Sequence, residues 1–118
     1  MKLNITAAHE WVSGKDWTWE FVLKDRTGAV IDITGYEFEW VAKEVGAVPG
    51  SAVVVEVASA DIEVVSGEDG FFRLNGTGDL TSGKTGDKNY AHELLRVDDG
   101  RREIMAWGTA WLIQSITA

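Results

Sequence analysis

The chain has no cysteine and a single proline in 118 residues. Without cysteine there is no disulfide framework, no thiolate nucleophile and no cysteine–zinc site, which is compatible with assembly in a reducing cytosol. Basic residues are also scarce: 11 Lys and Arg stand against 19 Asp and Glu, a formal charge of −8. Nucleic-acid binders gain affinity by neutralising phosphates with clustered cations. Here the longest basic run, Arg101-Arg102, is bracketed by Asp98, Asp99 and Glu103. The composition therefore argues against nucleic acid and against anionic membranes as partners. No run approaches the ~18 apolar residues of a membrane span. The opening "MKLNITAAHEW" has no apolar core of the kind a signal peptide carries, so nothing in it suggests export.

What is present is an ordinary globular balance, 45% hydrophobic and 25% charged. One domain, residues 1–118, is expected, burying roughly two-thirds of the extended chain's surface. Alternation with a period of two dominates, which marks half-buried strands. In "DWTWEFVLK" one face carries Trp17, Trp19, Phe21 and Leu23, and the other Thr18, Glu20, Val22 and Lys24. "YEFEWVAK" sets Tyr36, Phe38, Trp40 and Ala42 against Glu37, Glu39, Val41 and Lys43. Asp25 to Gly28 reads as a tight turn and "DITG" as a second bend. Further strands are expected within 52–58, 61–65, 70–76, 89–97 and 102–117, with Asp98-Asp99-Gly100 turning between the last two. Pro49 falls in a loop with Gly46 and Gly50, where its missing N–H harms no ladder. Seven or eight short strands and no substantial helix predict an all-β fold, an immunoglobulin-like antiparallel sandwich or a small barrel.

One stretch points elsewhere. "GDLTSGKT", Gly78 to Thr85, fits the G-x-x-x-x-G-K-[ST] pattern of phosphate-cradling loops. That chemistry needs a buried parallel strand before the loop and a helix after it, so that amides and dipole converge on phosphate. Here Gly86, Asp87, Lys88 and Asn89 follow, then the strand-like "YAHELLRV", and no helices are available for strand–helix–strand crossovers. The pattern reads as a turn with one helical turn at most.

Other chemistry is thinly represented. His9 and His92 are each followed by a glutamate, Glu10 and Glu93, but strand neighbours point to opposite faces, so neither pair converges on one metal. His92 shares a parity with Tyr90 and Leu94 and reads as a partly buried, hydrogen-bonded histidine. There is no G-x-S-x-G elbow, and no carboxylate pair is singled out for acid–base work. No catalytic residue, metal or cofactor is assigned.

Six tryptophans are many for this length: Trp11, Trp17, Trp19, Trp40, Trp107 and Trp111. Trp17, Trp19 and Trp40 fit the core parity of their strands. In the last strand Ala106, Gly108, Ala110 and Leu112 share one parity, and Met105, Trp107, Thr109, Trp111 and Ile113 the other. Small residues facing inward leave Met105, Trp107, Trp111 and Ile113 as a candidate interface, since Trp and Met are enriched in interface cores. The opposite orientation would bury both indoles. Val54, Leu95 and Val97 are candidate extensions of the surface. Exposed aromatics also suit a platform on which sugars stack, which makes a glycan the alternative partner.

The order of these pieces is distinctive. "LNIT" precedes the turn Gly14, Lys15, Asp16 into an aromatic strand; "KDRTGAVIDITGYEFEWVAK" follows, then a glycine-rich loop, "NYAHELLRV" and "RREIMAWGTAWL". This order resembles small β-sandwich structural proteins of tailed bacteriophages and prophages, including modules of baseplates and receptor-binding assemblies. The matching positions are Gly14 with Asp16, Gly28, Ile31 to Gly35, Tyr90 with Leu94, and Gly108 with Ala110 and Leu112. The motifs are short. Lys15 separates Gly14 from Asp16, and His92-Glu93 stands where the family often has an aromatic residue and Asp. The resemblance implies a non-enzymatic virion component, assembled in the bacterial cytoplasm and contacting copies of itself or other virion proteins in tail, baseplate, fibre or capsid decoration.

Overall fold

The computed structural model describes Leu3, residues 9–46 and residues 53–115. Most of the expected "LNIT" strand, and Pro49 with Gly50, lie outside the described residues. Seven strands are described: β1 Trp17–Val22, β2 Phe38–Glu44, β3 Val55–Val57, β4 Ile62–Ser66, β5 Phe71–Gly76, β6 Lys88–Arg96 and β7 Glu103–Leu112. They form two antiparallel sheets, of order β1-β5-β4 and β3-β2-β6-β7. The protein is an all-β, immunoglobulin-like sandwich, as the alternation predicted.

The turns follow from local chemistry. "DRTG" and "DITG" are the same device used twice: Oδ1 of Asp25 accepts from the amide and hydroxyl of Thr27, and Oδ1 of Asp32 does the same for Thr34. Each ends in a glycine at positive φ, Gly28 at 87° and Gly35 at 80°. The first turn closes only a single bridge, Lys24 with Val30. The strands on either side, β1 and β2, therefore part into different sheets.

The core lies between the sheets and is largely aromatic. Trp17, Trp19, Phe21 and Phe72 meet Phe38, Trp40 and Tyr90 from the opposite sheet, and all are buried. Trp11, outside any alternating run, is buried at the centre, edge-on to Trp17, Trp19, Trp40 and Tyr90 with ring centroids 5.7–5.8 Å apart. Two hallmarks of immunoglobulin-type sandwiches are present in altered form. The Tyr90 hydroxyl donates to the carbonyl of Thr85 five residues upstream, a tyrosine corner at the start of β6. Two residues on, where antibody domains place the cysteine that packs on a buried tryptophan, stands His92, its ring 5.6 Å from that of Trp40. Trp19 flanks Trp40 from β1, also at 5.6 Å. Packed rings, tilted and edge-on, occupy the place of an inter-sheet disulfide.

Candidate functional site

The site is the outer face of β7, and its orientation is set by what β6 presents. Tyr90, His92 and Leu94 point inward from β6 and pair with Ala110, Gly108 and Ala106 of β7. Large residues on one strand leave room only for small ones on its neighbour, given the density of protein interiors. Gly108 shows how tight the fit is. A Cβ there would lie 2.4 Å from the Leu3 carbonyl oxygen and 3.2 Å from Nε2 of His92. The inward parity of β7 cannot accept an indole, so Trp107 and Trp111 face solvent, each 51% exposed. Strand geometry separates positions four apart by about 13 Å.

Ile113 is also exposed, whereas Met105 is half-buried and packs against the core. A β-bulge causes the difference: Leu94 pairs with Ala106 but Leu95 pairs with Ile104, leaving Met105 as the extra residue. Ile104, which parity counting overlooked, takes the outer position and is 54% exposed. Leu95 lies on the same face but is buried, while Val54 and Val97 are half-buried. Of the candidate residues, then, Trp107, Trp111 and Ile113 share the open surface and Met105 supports it from below.

The rim is polar. Glu93 lies directly across from Trp107, and Asn89 from Trp111. Further across the sheet Glu39 pairs with Arg102 at 3.2 Å. A hydrogen bond with Glu39 raises the Glu56 carboxyl above its ordinary range, aided by partial burial and by Coulomb repulsion from Glu39 and opposed by Arg102. At the top of β6, Arg96 binds Asp98 through two hydrogen bonds, 2.8 and 2.9 Å, and lies 3.5 Å over the Tyr36 ring.

No protein-family model and no curated protein matches the chain.

The free edge of β7 is partly occupied. Leu3 donates its amide to the Trp107 carbonyl at 2.8 Å, and Val12 makes a parallel bridge with Ile113. Contacts made through the face of β7 are thus more open than pairing along its edge.

The glycine-rich loop has a different role from the one its pattern suggests. It connects β5 of one sheet to β6 of the other and contains a single short helical turn, Gly78–Leu80. Several of its amides are committed within the protein: Gly78 N–H donates to Asp16 Oδ1 at 2.7 Å, those of Thr81 and Ser82 to the Gly78 carbonyl, and that of Lys84 to the Thr81 carbonyl. Gly78 packs on the Gly14 turn, where a Cβ would lie 2.3 Å from the Gly14 oxygen. The loop is the lock for the "GKD" turn that starts β1. Lys84 borders a polar depression of about 280 Å³ shared with Ser13, Ser82, Gly83 and Gln114.

The two histidines pack against different partners, His9 on Phe21 and His92 on Trp40. Contrary to the expectation of a hydrogen-bonded side chain, His92 is 2% exposed with no hydrogen-bond partner on either nitrogen among the described residues.

Proposed function

We propose that the chain is a protein–protein interaction module that docks through the outer face of β7, serving as a structural component of a bacteriophage or prophage particle. The carrying observation is the exposed Trp107–Trp111 pair on a strand whose other face places Ala106, Ala110 and Leu112 in the core. Two half-exposed indoles leave roughly 250 Å² of ring surface in water. That is about a third of what one partner buries in a standard interface. Its removal from water is worth about 6 kcal/mol before association costs. Copies of the same chain or neighbouring virion proteins are the partners, in keeping with the strand-order resemblance. Replacing both Trp107 and Trp111 with Ala is expected to abolish assembly on size-exclusion with light scattering while leaving a folded monomer; unfolding of that variant would refute the reading.

A second reading has a specific observation in its favour. Two exposed indoles on one strand face, their positions about 13 Å apart along the backbone and bordered by Asn89, Thr109 and Glu93, suit a platform for stacking sugars in host-surface recognition. A glycan array combined with tryptophan fluorescence separates the two: saturable quenching by a glycan supports the platform, and its absence leaves the protein interface.

A further inference from the structure

Beneath the exposed face of β7 lies a buried ionisable group that the docking reading does not use. His92 is 2% exposed, its ring lies against Trp40, and neither nitrogen has a hydrogen-bond partner among the described residues. Among the described residues, the side chains that share its face on the neighbouring strands carry no charge. On β6 the same-face neighbours are Tyr90 and Leu94; on β2 they are Trp40 and Ala42; on β7 they are Ala106, Gly108 and Ala110. Tyr90 is the one other titratable side chain among these, and its hydroxyl is engaged by Thr85.

The enclosure is uneven. On one side stands the tryptophan core. On the other, Nε2 and Cε1 approach a glycine, Gly108, which is itself half-exposed and covered by the Leu3 backbone. Leu3 is held there by its amide bond to the Trp107 carbonyl. A charge placed on the ring needs water or an acceptor, and the shortest route to either displaces Leu3 and β7 rather than Trp40.

We infer that His92 is an acid trigger for this edge of the sandwich: protonation of its ring detaches Leu3 and loosens β7 from β6, while the three-stranded sheet stays closed. Because β7 carries Trp107 and Trp111, acid would also disorganise the docking face. The trigger itself does not depend on what that face binds. Burial holds the imidazole down to about 4, so the ring is neutral in the closed state near neutral pH. Once released into water it titrates near its ordinary value, and the difference drives opening as pH falls between the two.

Hydrogen exchange of the full chain, compared at about pH 7 and about pH 4.5 after correction for intrinsic rates, tests this. By linkage, opening should become on the order of 50-fold more favourable. Protection of the Leu3 amide and the β6–β7 ladder should fall by that factor relative to the β1–β5–β4 ladder. In His92→Gln or His92→Phe, neither of which titrates there, the relative protection should stay constant. Equal loss in both sheets would overturn the proposal, as would an unchanged β6–β7 ladder while the ring titrates. If both variants fail to fold, an NMR titration of the native ring decides. Its midpoint must lie where the loss of Leu3 protection levels off, and a midpoint at or above the ordinary histidine value contradicts the inference.

Discussion

Gly108 and His92 show how single positions set both the fold and the site. The missing Cβ at Gly108 lets the Leu3 carbonyl approach β7 and lets His92 fill the space beneath. Gly108→Val should therefore weaken the attachment of Leu3 and lower the thermal midpoint, without altering the β1–β5–β4 sheet. His92 adds a pH dependence whose sign is fixed. Its proton affinity is lower in the folded chain, at about 4, than its ordinary 6.5. The unfolded chain thus binds more protons between those values, and stability falls as pH falls through that window. The full difference is about 3 kcal/mol at ~1.36 kcal/mol per unit, present above pH 6.5 and lost by pH 4. Urea unfolding at a series of pH values should show this slope, and His92→Gln should flatten it. Tyr90→Phe removes only the hydroxyl that reaches Thr85 and should cost about 1 kcal/mol in the same assay. The sequence placed His92 on the buried side from its parity with Tyr90 and Leu94. It gave no indication that the ring nitrogens go without partners, because that depends on β2 and β7, which lie far away in the chain.

At the scale of elements, β1 and β2 were legible because each sorts apolar and polar residues between two faces without interruption. The end of the β6–β7 hairpin was not. Counting parity assumes one residue opposite one, and the bulge at Met105 breaks that rule at a point set by pairing with Leu94 and Leu95. The result is that Ile104, not Met105, extends the apolar face. The same hairpin is secured by Asp98, which binds Arg96 and also accepts from the Glu37 amide at the entry to β2. These contacts, with the Arg96 hydrogen bond foremost, hold the Asp98 carboxyl down to about 2. Its stabilisation is present above the ordinary carboxylate value and is lost as pH falls toward 2, a window below that of His92. Asp98→Ala should lower the thermal midpoint at pH near 7 and leave the His92 slope in place. Differential scanning calorimetry across the two windows separates these effects. The "GDLTSGKT" turn shows the opposite limit of sequence reading. Its pattern matches a phosphate loop, yet it runs from one antiparallel strand, β5, to another, β6, with no helix following it.

Across the whole molecule, the sandwich was legible because strand periodicity and turn residues agreed along most of the chain. Trp11 was harder to place: it lies in an irregular segment, and its burial comes from both sheets closing around it. The outward orientation of Trp107 and Trp111 was open in the sequence, since either parity gave an acceptable strand. Packing resolves it, because Tyr90, His92 and Leu94 fill the space that inward indoles would need. The proposed role of these two rings is a surface through which copies of the chain dock, rather than part of the core. Sedimentation equilibrium of the native chain beside the Trp107→Ala, Trp111→Ala double variant tests it most directly. Concentration-dependent association of the native chain and a compact, folded monomer for the variant are expected. A native chain that stays monomeric up to roughly millimolar concentration, well above the Kd expected for a specific interface, would contradict it.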